Sequence, residues 1–237
     1  MCRLADSRET LIVNRIMKKK LAIIHTVSWY NKSVIEPFAK PWLKENPDVE
    51  IVNIMDDSLL SESLPNGGPT KEVVRRMIYY YQAAEATGAD LLMCSCTTMG
   101  PATRAARQMI SKPLFNIDEP MASEAVSKGK VIGILATVPT SAPATRALLR
   151  MEAEQQNRQI EIKTVINEKA FQALVSGDIE KHNAMIYTEL EKLQNEVDVI
   201  ALGQISLAQI NFDAKVPILQ VGRSGFNHAR KLLDEIN

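Results

Sequence analysis

Apolar positions along the chain follow two periods in turn. Unbroken apolar runs of strand length alternate with longer stretches in which apolar residues recur every three or four positions. LAIIHTV (21–27), VEIVNIM (49–55), DLLMCS (90–95) and PLFNI (113–117) read as strands. Between them, 29–46 reads as a helix that either kinks or starts at Pro37. LPNGGPT (64–70) is a loop that ends on Thr70 as N-cap. It leads into a helix over 71–88 with Val73, Val74, Met77 and Tyr81 on one stripe, and 101–110 is a further helix. Strands separated by helices predict βαβ units and a mainly parallel sheet.

The alternation then restarts. KVIGILAT (130–137), IEIKTVI (160–166), DVIALG (198–203) and PILQV (217–221) read as strands. Helical tracts fill 142–157 and the stretch to Asn195, and a terminal helix begins near Gly225. The halves resemble each other. LAIIHT matches IGILAT, DLLMCSC matches DVIALGQ, and KPLFNI matches VPILQV, in the same order and each roughly 110 residues apart. This predicts a duplicated α/β fold of two pseudo-symmetric lobes, each a mainly parallel sheet flanked by helices, with the active site in the cleft between them. The expected division is lobe 1 over 17–117, completed by 222–237, and lobe 2 over 118–221. Residues 1–16 form an extension, because MKKKLAIIHTV from Met17 reads as a natural start.

Composition narrows the class. Apolar residues make up 46% and charged residues 24% of 237, as in ordinary globular proteins. Lys and Arg (28) balance Asp and Glu (28), so no net field favours nucleic acid or an anionic membrane. No apolar run reaches the length of a membrane span. Of the three cysteines, Cys2 falls in the extension, and Cys94 and Cys96 are too close in sequence to frame a disulfide scaffold. The scattered His25, His182 and His228 offer no metal cluster. The expected setting is a reducing cytoplasm, with a homodimer as the default assembly.

In open parallel sheets, ligands bind beyond the carboxyl ends of strands. Cys96-Thr97-Thr98 ends one such strand, before a helix start marked by Gly100 and Pro101. There a helix N-terminus lowers a thiol's pKa, and the threonines offer hydroxyls and amides to a carboxylate. On spacing alone, a buried structural cysteine beside capping threonines is at least as good a reading. Cys94 lies deeper in the strand and reads as structural. The turns after the two lobes' first strands supply Thr26 and Ser28, and Thr137 and Thr140. His25 ends the first strand, where its ordinary pKa suits proton transfer. As a plain histidine, however, it reads first as satisfied by its neighbours. Asp56 and Asp57 read as caps or surface acids, Asp118 and Glu119 as a lobe junction, and His182 and His228 as surface residues. Arg223 and Ser224 follow the last strand and are candidates to help bind a carboxylate, although Gly222 and Gly225 equally suggest a plain turn.

LLMCSCTTMGP (91–101) resembles the first catalytic motif of the aspartate/glutamate/hydantoin racemase superfamily, a Cys-x-Thr after a parallel strand. ATVPT (136–140) is similar to the turn that opens that family's second lobe. The resemblance implies a cofactor-independent enzyme in which one thiol per lobe flanks the α-carbon of an amino acid or other small carboxylate. One thiolate removes the proton and the other thiol returns one to the opposite face. It assigns catalysis to Cys96 and substrate binding to Thr97, Thr98 and the strand-end hydroxyls. The second lobe departs from the pattern: where Leu-Gly-Cys-Thr-His is expected, the chain reads Leu202-Gly203-Gln204-Ile205-Ser206. An amide cannot act as a base, although it can donate a hydrogen bond. Gln204 and Ser206 therefore enter the candidate site in place of a second thiol, with His25 as the candidate replacement base. Single-thiol decarboxylation, cis–trans isomerisation and noncatalytic binding of a small acid remain as alternatives.

Overall fold

The computed structural model describes residues 18–236; the 1–16 extension, with Cys2, lies outside them, as does Met17. The first series runs β1 (Lys19–His25), a π-helical stretch (Asn31–Ala39) continuing into α1 (Lys40–Glu45), β2 (Val49–Met55), α2 (Ser58–Ser63), α3 (Lys71–Ala86), β3 (Leu91–Cys94), α4 (Gly100–Ala106) and β4 (Leu114–Asn116). A connecting helix, α5 (Glu119–Lys128), leads to the second series. This comprises β5 (Val131–Ala136), α6 (Ser141–Gln155), β6 (Glu161–Ile166), α7 (Glu168–Val175), α8 (Ile179–Leu193), β7 (Val199–Leu202), β8 (Ile218–Gln220) and α9 (Arg223–Glu235).

Each series forms a four-stranded parallel sheet, in the orders β2-β1-β3-β4 and β6-β5-β7-β8. The expected duplication is therefore present in the topology, and it extends to single hydrogen bonds. The Asp90 carboxylate accepts the Lys20 amide at 2.8 Å, and the Asp198 carboxylate accepts the Val131 amide at 2.8 Å. Both acids tie the start of a second-series or first-series inner strand to its neighbour.

Strand alternation distributes the core into three layers. Leu21, Ile23, Leu91 and Met93 point to one face of the first sheet, and Ile132, Ile134, Val199 and Ala201 to one face of the second; all eight join a single buried cluster. Ala22, Ile24, Leu92 and Cys94 face the other way, onto α3 and α4. Leu135, Ile200 and Leu202 face α8. The two sheets thus share a central core, and each keeps an outer one. We propose the division at residue 117, with 222–237 returning to lobe 1. Phe226, Ala229 and Leu233 of α9 lie in the shared core beside Phe115 and Ile117.

Several elements differ from expectation for identifiable reasons. No helix begins at Pro37; the stretch around it takes π geometry, in which the Lys40 amide bonds the Ile35 carbonyl. Helix α5 was not foreseen, because EPMASEAVSK is short and rich in small residues. Pro120 in its first turn was its signal. The tract before Asn195 is two helices, split where Gly177 takes φ +88 and Asp178 caps α8 through the Lys181 amide. His182 is buried rather than on the surface, because its Nδ1 bonds the Ala170 carbonyl at 2.9 Å and ties α8 to α7. His228 is half-buried, edge-on to Phe115 at 5.0 Å. Among the described residues no helix is long and apolar enough to cross a membrane.

Helix α9 docks closely because Gly225 has no side chain. A Cβ there would lie 2.5 Å from Ile117 Cγ1 and 3.1 Å from the Ile117 carbonyl oxygen. Gly225→Ala is therefore expected to destabilise the fold by about 1–3 kcal/mol. Urea unfolding followed by circular dichroism measures this, and an unchanged midpoint would contradict the close approach.

Candidate active site

The strand order reverses between β1 and β3, and again between β5 and β7, so the loops leaving these strands splay apart into crevices. Thr26 follows β1 and Cys96 follows β3; Thr137 and Gln204 hold the matching places in the second sheet. Cys96 caps a 3₁₀ turn (Thr97–Met99) with φ −126 and ψ 116, and Gln204 caps the turn Ile205–Leu207 with φ −118 and ψ 137. The backbone is duplicated at the site, and only the side chain changes.

The two turns meet. The Thr97 hydroxyl donates to the Gly203 carbonyl, and the Thr98 and Thr140 hydroxyls bond each other at 3.0 Å. Between the lobes lies a cavity with a free volume of about 50 Å³, and Cys96 and Gln204 both line it. Thr26 and Val27 border it from lobe 1, Val138 and Ser141 from lobe 2. Leu60 of α2 and Phe171 of α7, which occupy corresponding places in the two series, both border it as well. Among the described residues, no Asp, Glu, Lys, Arg or His lines this cavity.

Cys96 is only partly buried, whereas Cys94 is fully buried behind it. Burial pushes the Cys96 thiol above its ordinary 9.0. The Thr26 hydroxyl and the Met99 and Thr98 amides pull the other way, and Asp118 adds to the rise. The expected lowering by a helix end is thus present but outweighed: the turn offers only two amides, and desolvation of a thiolate costs more than they return. Cys94 is raised further still, first by burial and then by the neighbouring Cys96.

Gln204 is held by almost every polar group around it. Its Oε1 accepts the Thr137 amide (2.6 Å), the Val138 amide (3.2 Å) and the Ser141 hydroxyl (2.9 Å). Its Nε2 donates to the Thr137 hydroxyl (3.1 Å) and the Ser206 hydroxyl (3.3 Å). Thr137 therefore positions Gln204 and Thr140 positions Thr98; neither lines the cavity, whereas Thr97, Thr98 and Ser206 do. Ser28 is exposed and also outside it.

The expectation that His25 borders the cleft is not met. It is fully buried, stacked on Tyr30 at 4.1 Å, with Nδ1 3.0 Å from the Ser95 hydroxyl and Nε2 2.8 Å from Asn53 Oδ1. Burial lowers its pKa to about 4, against the raising effect of Asn53. The ring is thus neutral, with its proton on Nε2 toward Asn53, and it accepts from Ser95, which does line the cavity.

Other groups escaped sequence reading. Asn116 Nδ2 donates to both the Cys96 carbonyl (3.2 Å) and Asp118 (2.5 Å). Asp118 is buried, and that burial raises its pKa to about 7 despite the Asn116 bond. Asp118 thus sits behind the thiol rather than acting only as a lobe junction. Asp56 stays outside the cavity: burial would raise its pKa, but Ser58, Tyr80 and Arg76 bond it and hold it low. Arg223 is exposed at the start of α9, and Ser224 bonds the Gln220 carbonyl at 3.0 Å, so neither reaches the cavity. Among the described residues no three His, Cys, Asp or Glu side chains gather to hold a metal ion.

Fold and site together define a two-lobed α/β protein with a thiol at its interlobe cleft. The Asp/Glu/Hydantoin racemase family model matches residues 44–229, most of the chain, and the chain belongs to that family. No curated protein sequence matches it significantly. Solved structures share the fold. Aspartate racemase from Picrophilus torridus is 16% identical with a TM-score of 0.66, over 92% of this chain and 94% of its own. Glutamate racemase from Francisella tularensis in complex with D-glutamate is 13% identical with a TM-score of 0.66, over 92% and 82%. Allantoin racemase from Klebsiella pneumoniae is 17% identical with a TM-score of 0.64, over 92% and 89%.

The thiol environment fixes a pH response. Because Cys96 ionises above 9.0, its alkylation by iodoacetamide should keep rising with pH through that value. It should also outpace that of the enclosed Cys94 at every pH, as read by peptide mass spectrometry. A plateau below pH 8 would contradict the raised thiol, and faster labelling of Cys94 would transfer the exposed-thiol role to that residue.

Proposed function

We propose that this chain is a racemase or isomerase of its family, moving a proton at the α-carbon of a small carboxylic acid through Cys96, without a cofactor. The observation that carries this reading is Cys96, the one ionisable side chain among the described residues that line the cavity. The Cys96 thiolate removes the α-proton, and the released electron pair moves into the carboxylate as an ene-diolate. After exchanging with solvent the thiol returns a proton to the same carbon, and inversion follows only when the planar ene-diolate presents its other face first. Preorganised hydroxyls and amides lining a small cleft stabilise the developing negative charge more than water would. The Thr98 and Met99 amides favour the thiolate, while Asn116 bridges the carbonyl of Cys96 and the Asp118 carboxylate.

The opposite face presents Gln204, whose amide has no base to offer and whose carbonyl already accepts three hydrogen bonds. His25 is a positioning residue in this scheme, acting through Ser95. Proton transfer is therefore one-sided. In deuterated buffer, substrates with an α-proton should exchange it at least about 10-fold faster than they invert, and Cys96→Ala should lower exchange at least about 100-fold. Mass spectrometry combined with chiral chromatography reads both rates. Equal rates of exchange and inversion, or exchange that survives Cys96→Ala, would overturn the scheme.

A further inference from the structure

We infer that the substrate is a monocarboxylate with an apolar substituent, its carboxylate seated on the backbone amides of Thr26 and Val27. This rests on the reading of the cavity as the place where Cys96 acts. The duplication supplies an internal template. In lobe 2 the turn after β5 aims the Thr137 and Val138 amides at one acceptor, Gln204 Oε1, with the Ser141 hydroxyl completing the seat. In lobe 1 the corresponding turn, after β1, is built from Thr26 and Val27, and both line the cavity. Among the described residues no acceptor takes either of their amides. Thr26 and Cys96 line the cavity together, and the matching pair in lobe 2 is in contact, with Gln204 Nε2 donating to the Thr137 hydroxyl. An acceptor placed on the Thr26 seat as Gln204 Oε1 sits on its own would be beside Cys96, the position an α-carboxylate requires.

The same geometry limits the rest of the molecule. The lobe 2 seat is already filled by a side chain of the protein. No cation lines the cavity to pair with a second carboxylate, and no anion lines it to pair with an ammonium group. A second charge would be buried without a partner. Beyond the hydroxyls of the two turns, the rest of the lining offers uncharged apolar surface: Leu60 and Phe171 where α2 and α7 approach the cavity, together with Val34 and Ile205. These surfaces suit an alkyl or aryl group, and they disfavour acidic side chains of the aspartate and glutamate kind.

Isothermal titration calorimetry of the full chain with isobutyrate and with succinate, equal in carbon number, tests this directly. Isobutyrate is expected to bind at least about 10-fold more tightly than succinate. Gln204→Ala frees the lobe 2 seat, so succinate should gain at least about 10-fold while isobutyrate changes little. Gln204→Asn, whose shorter amide falls short of the seat, gives the same shift should Q204A fail to fold. Succinate binding as tightly as isobutyrate, no saturable isobutyrate binding, or an unchanged ratio in the Gln204 variants would overturn the inference. Cys96→Ala separates it from the catalytic reading. Loss of exchange with the isobutyrate preference intact supports both, whereas exchange surviving in C96A defeats the catalytic assignment and leaves calorimetry to judge the seat.

Discussion

The apolar core shared by the two sheets is the constraint from which the site follows. Leu21, Ile23, Leu91 and Met93 from one sheet and Ile132, Ile134, Val199 and Ala201 from the other belong to one buried cluster. Burying them together brings the carboxyl ends of β3 and β7 to the same cleft. Only then can the Thr97 hydroxyl reach the Gly203 carbonyl and Thr98 reach Thr140. The geometry of the candidate site is thus a by-product of core packing: the strands point their ends where the core puts them, and the turns face each other.

Duplication explains why one residue can change the chemistry without disturbing the fold. Cys96 and Gln204 begin equivalent turns with nearly the same backbone angles, so the scaffold accepts either side chain. Glutamine does more than lack a thiol. Its carbonyl takes up the donors of its own lobe, so those amides and that hydroxyl are already satisfied within the protein. A symmetric site becomes asymmetric, with the ionisable thiol on one side and a neutral, fully bonded amide on the other. The burial around this site also pushes the Cys96 thiol's pKa up.

Much of this was legible in the sequence, because period and repetition survive in it. Apolar strand runs located all eight strands to within a few residues, and the matched segments announced the second lobe. Cys96, Thr97, Thr98 and Thr26 stand out at strand ends, the family resemblance adds Gln204 and Ser206, and all line the cavity. What sequence could not show was direction and depth. His25 ends β1, as expected, but its side chain turns into the lobe toward Ser95 and Asn53. Leu60 and Phe171 looked like ordinary apolar helix residues, and only the packing of α2 and α7 brings them to the site. Asp118 gave no hint of its burial, because an Asp before a Glu-Pro pair reads only as a lobe junction. Thr137 and Thr140 were chosen for hydroxyls that, in the fold, are spent on neighbouring side chains.

The central claim is that one lobe holds the substrate while the other is occupied by its own glutamine. A crystal structure of the full chain with a bound monocarboxylate tests this most directly. The expected result is a carboxylate on the Thr26 and Val27 amides, the α-carbon against Cys96 Sγ, and Gln204 Oε1 still on Thr137, Val138 and Ser141. A carboxylate that displaces Gln204 from that seat, or an α-carbon turned away from Cys96, would contradict it.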